Sequence, residues 1–374
     1  MRRRTSAGPT RRPWKPCPSR WPSRPYWTGP APRPSHGGRG TRRFGPNPHR
    51  SPRIPAPGGS SVYQHLLVPL DGSRFGEKAL PRALTLAAGS GARLSLVTVA
   101  VPAPGGSRKG RESGLMGDES REEGTRRAEA YLGDVTARIR DGGYTGELST
   151  ELLPAGNAAH AVVRHGVEIG ADLVIMTTHG RGPIQRAWLG STADGVIRRS
   201  PVPVLLLRSE EEESDAPVDL SVRSGAFRTV LVPLDGSRAA EALLDRVPPL
   251  MDPDGSLILL RAIAPLVPAG SPYLPHAVRE GKDHERLRSA AREYLEGVAS
   301  EPPCAGRDAE ARVVVHAQPG LSILETAREE PVDLIAMSTA GRGGVGRLLL
   351  GSVADKVIRA APCPVLVFRE PAEE

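Results

Sequence analysis

The feature that most limits what this chain can fold into is a long repeat. HLLVPLDGSR, from His65 to Arg74, returns as TVLVPLDGSR from Thr229 to Arg238, identical at eight of ten positions. MTTHGRGPIQRAWLGS, from Met176 to Ser191, returns as MSTAGRGGVGRLLLGS from Met337 to Ser352, identical at nine of sixteen. DGVIRRSPVPVLLLR from Asp194 is answered by DKVIRAAPCPVLVFR from Asp355. The three blocks keep their order at offsets of 164, 161 and 161 residues. Solenoid units are far shorter, so a period of this length marks a duplicated whole domain. The sequence places one domain at 62–208 and a second at 226–370. The segment 209–225 between them is acidic and polar, without an apolar period, and reads as a linker.

Within one copy, short runs of Val, Leu and Ile alternate with helical patterns, the signature of parallel strands buried on both faces. Strands are expected at His65–Leu70, Arg93–Ala100, Glu147–Leu153, Leu173–Thr177 and Val204–Leu207. Helices are expected near Phe75–Ala88, Glu119–Asp141, Ala158–Glu168 and Thr192–Arg199. This βαβαβαβαβ order predicts an α/β fold: two tandem, doubly wound, five-stranded parallel sheets of Rossmann-like type, each with strand order 3-2-1-4-5. Ligands of such sheets bind outside the carboxyl ends of the strands where the winding reverses, here between strands 1 and 4. The two best-repeated motifs fall at that point.

The net charge of +8 is unevenly spread. Residues 1–61 hold 14 of the 50 Lys and Arg and no Asp or Glu, so the remainder carries a net charge of about −6. The basic segment is rich in Arg, Pro, Gly and Ser, has Trp14, Trp21 and Trp27 but almost no aliphatic residue, and is expected to be disordered. It lacks the apolar stretch of an export signal. Two readings of it stand: arginines and aromatics that contact nucleic acid, or a gene start placed too early, with Val62 as the true beginning. Nucleic acid is not expected to be a partner of the folded part. Cys17, Cys304 and Cys363 are widely spaced, which argues against a disulfide framework or a zinc site and suits a cytoplasmic protein. No apolar run approaches the roughly 20 residues that cross a bilayer.

The segment after strand 4 places Gly180 and Gly182 beside Arg181, then Gly190 and Ser191 before a helix. Glycines let backbone amides approach a phosphate and tolerate positive φ, Ser191 can N-cap the helix, and the positive end of the helix dipole faces an anion. The second copy has Gly341, Arg342, Gly343, Gly351 and Ser352 in the same frame. A plain glycine turn with a serine cap is the alternative, but repetition of the whole spacing at a switch point favours anion binding. Asp71 and Asp235 end the first strands, where a carboxylate can accept from ribose hydroxyls or form a turn and cap.

VPLDGS, a later (S/T)-x2-G-x9-G-S segment and a closing PVPVLLL or PCPVLVF strand resemble the universal stress protein family, twice over. The resemblance implies ATP binding. It puts Gly180, Gly190, Ser191, Gly341, Gly351 and Ser352 on phosphate loops, Asp71 or Asp235 on ribose, and Val99 or Ala262 near adenine. The first glycine of the family's G-x2-G-x9-G-(S/T) pattern is replaced by Thr177 and Ser338, which adds a Cβ near the ligand. Pro183 and Gln185, against Gly344 and Gly346, make the second loop more open, while Arg261 beside Ala262 crowds its adenine side. The family pairs domains through the last strand, so the two halves are expected to pair with each other, with a homodimer as a further expectation.

No P-loop, nucleophile elbow or zinc-protease helix is present, and no catalytic residue or metal ligand is assigned. His160, His165, His179, His316 and Cys363 read as structural or solvated. The expected function is nucleotide-responsive signalling in stress, with ATP and magnesium as ligand. A scaffold or chaperone-like protein without nucleotide, or a slow ATPase, are the alternatives.

Overall fold

The structure, a computed structural model, describes residues 63–100, 115–178, 189–208, 218–221, 225–265, 277–339 and 350–369. The basic N-terminal segment, most of the linker and, of the residues expected on phosphate loops, Gly180, Arg181, Gly182, Gly341, Arg342 and Gly343 lie outside these, as do His179, Pro183, Gln185, Gly344 and Gly346. The first half contains β1 (His65–Leu70), α1 (Arg74–Glu77), α2 (Leu80–Ser90), β2 (Arg93–Val99), α3 (Leu115–Asp141), β3 (Leu148–Leu153), α4 (Ala158–Glu168), β4 (Leu173–Thr177), α5 (Ser191–Arg199) and β5 (Val204–Leu207). The second half contains β6 (Phe227–Pro233), α6 (Arg238–Glu241), β7 (Met251–Ile263), α7 (Ala277–Ser300), β8 (Asp308–Val315), α8 (Pro319–Glu329), β9 (Leu334–Ser338), α9 (Ser352–Ala360) and β10 (Val365–Phe368).

The expected strands are present within a residue of their predicted ends, and α4 is present at its predicted bounds. The expected single helix 75–88 is divided into α1 and α2. Pro81, which has no N–H to donate, sits in the first turn of α2. In the second half Pro248 and Pro249 go further, leaving α6 followed by two short 3₁₀ turns, 244–246 and 248–250. There β7 begins early at Met251 and shifts register against β6 between Phe227 and Thr229.

Each half has the order 3-2-1-4-5 with parallel pairing throughout. The last strands then pair antiparallel, Leu206 opposite Val365 and Leu205 opposite Leu366, to give one ten-stranded sheet. A four-residue apolar edge strand leaves amides and carbonyls unpaired, and each edge here satisfies the other. All four residues of β5 and of β10 are buried. Alternation along the strands splits the core into two layers. Leu66, Val68, Leu205 and Leu366 face one, and Leu67, Val204, Leu206 and Val365 face the other, and both layers run through both halves. Burial of apolar area stabilises by about 25 cal/mol per Å2, so this continuous core contributes to holding the halves together.

Polar contacts around the junction repeat with the approximate two-fold of the duplication. Arg208 donates to the carbonyls of Arg359 and Ala361 at 3.0 and 3.1 Å, and its counterpart Arg369 donates to Arg198 O at 2.8 Å. These guanidiniums sit on carbonyls at the C-terminal ends of α9 and α5, where the helix dipole favours a cation. Farther out, Tyr63 donates to Arg246 O at 2.8 Å, and Arg82 stacks 4.4 Å from the centre of the Phe227 ring while donating to Gly225 O. Burial raises the Tyr63 phenol well above its ordinary value, so it stays a donor.

Candidate functional site

In both halves the DGS motif turns the chain at the carboxyl end of the first strand. Asp71 Oδ1 accepts from the Ser73 amide at 3.0 Å and from its hydroxyl, Gly72 takes φ 76°, and Ser73 Oγ caps α1 by accepting from Gly76 N. Asp235, Gly236 at φ 78° and Ser237 repeat the arrangement, with Ser237 accepting from Ala240 N. Glycine is required at the middle position because side chains avoid that left-handed conformation. One oxygen of each aspartate is thus occupied by the turn. Asp71 itself is exposed and Asp235 half-buried.

The strands next to β1 and β6 supply the rest. β1 pairs with β4 and β6 with β9, so Thr177 and Ser338 end strands adjacent to the two DGS turns. The helix that follows is tied back to the strand: Gly190 N donates to Thr178 O at 2.8 Å, and Gly351 N donates to Thr339 O at 3.0 Å.

Two expectations change here. Ser191 and Ser352 are not the caps of α5 and α9 but their first residues, and the cap positions belong to Gly190 and Gly351, with no side-chain cap bond. The glycines are also not there for positive φ, since Gly190 has φ −58° and Gly351 φ −61°, open to any residue. At Gly351 the reason is distance. A Cβ would lie 3.0 Å from Thr339 O. The strand-to-helix hydrogen bond brings the two backbones so near that a Cβ would be tighter than ordinary contact, and among the described residues no side chain caps the helix start. The first N–H groups of such a helix have no intrahelical partner and carry the positive end of its dipole.

Val99, on β2, and Ala262, on β7, occupy matching half-buried positions beside the α4–α5 and α8–α9 faces. Arg261 does not crowd Ala262. Alternation turns it to the opposite face, where its guanidinium stacks 4.6 Å from the centre of the Tyr294 ring.

A further repeated element escaped the sequence reading although its signal was present: both copies read DGSR-x-x-E. Glu77 is buried and meets Arg138 of α3 at 2.9 Å and Arg74 at 3.6 Å. Its counterpart Glu241 accepts from Tyr294 of α7 at 2.7 Å. Burial, with Glu241 beside it, raises the Tyr294 phenol, and burial with Glu77 and Asp71 nearby does the same for Tyr131. These contacts dock the long helices beside the DGS turns. Two further aspartates fix the opposite ends of those strands, Asp172 accepting from the amides of Gln64 and His65 and Asp333 from those of Arg228 and Thr229. His165 is buried on α4, His160 is exposed in the first turn of α4, and His316 directly follows β8.

Fold and site together define a fused pair of doubly wound α/β domains with an uncapped helix start and a DGS turn at each switch point. The family model for universal stress proteins matches residues 62–208 and again 226–369, and the chain belongs to the universal stress protein family. A universal stress protein of Thermus aquaticus is 33% identical over 145 residues, covering 38% of this chain and 99% of that protein. One of Mycobacterium tuberculosis is 29% identical over 238 residues, covering 63% of this chain and 72% of its own. The crystal structure of a universal stress protein from Archaeoglobus fulgidus covers 82% of this chain and 98% of its own, at 22% identity and a TM-score of 0.55, a likeness of fold.

Among the described residues no helix is long and apolar enough to cross a membrane. Nor does any group of three or more His, Cys, Asp and Glu gather to hold a metal ion among them.

Proposed function

We propose that this protein binds an adenine nucleotide, ATP with magnesium, at the carboxyl ends of its first and fourth strands, and that the nucleotide acts as a regulatory ligand in stress signalling in the cytoplasm. The observation that carries this reading is the pair of uncapped helix starts at Gly190 and Gly351, each fixed to the end of a central strand beside an aspartate turn. Uncapped amides at a dipole's positive end suit phosphate oxygens. Gly180, Arg181, Gly182, Gly190 and Ser191 would hold the phosphates in the first domain, and Gly341, Arg342, Gly343, Gly351 and Ser352 in the second. Thr177 and Ser338 would flank them, Asp71 and Asp235 would take ribose, and Val99 and Ala262 would border adenine. With no acidic cluster at hand among the described residues, magnesium would be held by the phosphates themselves. In such a pairing the nucleotide acts on α5 and α9, whose far ends meet Arg369 and Arg208 across the junction.

The test is to denature freshly purified protein and assay the released nucleotide, and to titrate Mg-ATP into stripped protein by calorimetry and thermal shift. Released ATP, or saturable binding with a rise in Tm, is expected. Neither nucleotide nor shift would overturn the proposal in favour of a scaffold that works without ligand.

A further inference from the structure

A cavity of about 310 Å3 opens at the other end of the first domain's sheet, near the starting ends of β1 and β2. It is lined by His65, Arg93, Ser95, Glu147, Ser149, Glu151 and His165 among others. None of these belongs to the nucleotide reading. Its volume is at the lower end for small-molecule sites, roughly 300–1,000 Å3.

The cavity floor is an ordered polar chain. His65 Nδ1 lies 3.1 Å from Ile169 O, a carbonyl that can only accept, so Nδ1 carries the proton. His65 Nε2 is therefore the acceptor for Ser95 Oγ at 2.7 Å, and Ser95 in turn meets Ser149 Oγ at 2.8 Å. Burial, and then Arg93, lower the His65 pKa, so the ring is neutral. The rim carries Glu147 and Glu151, with His165 Nε2 3.5 Å from Glu151, and Arg93 as the one permanent cation in the lining. The Ile169 carbonyl stands at the C-terminal end of α4, the negative end of its dipole.

The second half shows what fits such a place. Strand register makes Arg312 the counterpart of Glu151 and Glu310 that of Ser149, and Glu330 follows α8 as Ile169 follows α4. In the second half the Arg312 guanidinium bridges Glu310 and Glu330 at 2.7 and 2.5 Å. In the first half the bridging arginine is replaced by a carboxylate and both its glutamate partners by neutral residues. The arginine of the outer strand is gone, Arg93 on β2 stands where the second half has Ser256, and a cavity faces Glu151.

We propose that this first-domain cavity is a binding site for a small organic cation bearing a guanidinium or primary ammonium group. The cation lies where the second half holds Arg312, against Glu151 and Glu147, with Ser149 hydroxyl and the α4 carbonyl end beside it.

The test is calorimetric titration of the full chain with agmatine, and separately with putrescine, at neutral pH. Saturable binding of one molecule per chain is expected. Glu151→Gln should weaken it about tenfold, the loss of one charge-assisted contact. Glu151→Arg should abolish it by supplying the cation from the chain itself. Glu151 is exposed on the outer strand, and unchanged Tm and circular dichroism verify that both variants fold. Mg-ATP binding is measured alongside and should not change in either variant, which separates this site from the nucleotide reading. Absence of saturable binding of both amines to the wild type, or equal binding by wild type and Glu151→Gln, overturns the proposal.

Discussion

Replacing Gly351 by alanine tests why a glycine stands at the start of α9. Its backbone, φ −61° and ψ 145°, suits any residue, so no dihedral penalty is expected. The new Cβ would instead lie 3.0 Å from Thr339 O, the carbonyl that accepts the Gly351 amide. Ordinary contact needs a few tenths of an ångström more, and the contact is with backbone, which has no rotamer by which to yield. Forcing one methyl into such a place costs about 1–3 kcal/mol. It also moves the helix start away from the strand end, which should weaken Mg-ATP at the second domain by about tenfold or more, some 1.4 kcal/mol. Gly297, exposed inside α7 with nothing within 4 Å of its would-be Cβ, is the control, and Gly297→Ala should stabilise by about 0.5–1 kcal/mol. Urea midpoints read the stability change and calorimetry reads the binding. A Gly351→Ala protein with wild-type midpoint and wild-type Mg-ATP affinity would refute the close-approach argument.

Arg208→Ala removes two bonds to the end of α9 and should cost about 1–2 kcal/mol, with Arg369→Ala, which removes one bond, costing less; urea unfolding of the singles and the double measures both. Asp71→Ala loses the acceptor that shapes the DGS turn and should cost about 1 kcal/mol, whereas Asp71→Asn keeps an acceptor oxygen and should stay within about 0.5 kcal/mol while still weakening Mg-ATP. His65 has a folded pKa below its ordinary value because of burial and Arg93, so the unfolded chain binds the proton first. Its contribution to stability is complete above pH of about 6.5 and is lost as pH falls from there through the lower folded value. Chemical denaturation across that window should show the loss, and His65→Gln should flatten it.

Much of the architecture was legible in the residues because it depends on local patterns. Buried parallel strands need uninterrupted Val, Leu and Ile, and the duplicated blocks fixed where those strands recur. That the halves would join through their last strands was implied by the family resemblance, and β5 meets β10. Other features depend on through-space distance, which a one-dimensional pattern does not carry. For the glycine at 351 the sequence left both close backbone approach and positive φ open, and the structure shows an ordinary φ with little clearance from Thr339 O. Arg261 looked like an obstruction until alternation along β7 placed it on Tyr294. Glu151 and Arg312 are unremarkable exposed-strand residues in sequence. Only the register of β3 and β8 against their neighbours makes them counterparts, and so shows that one half holds Arg312 where the other has Glu151 facing a cavity.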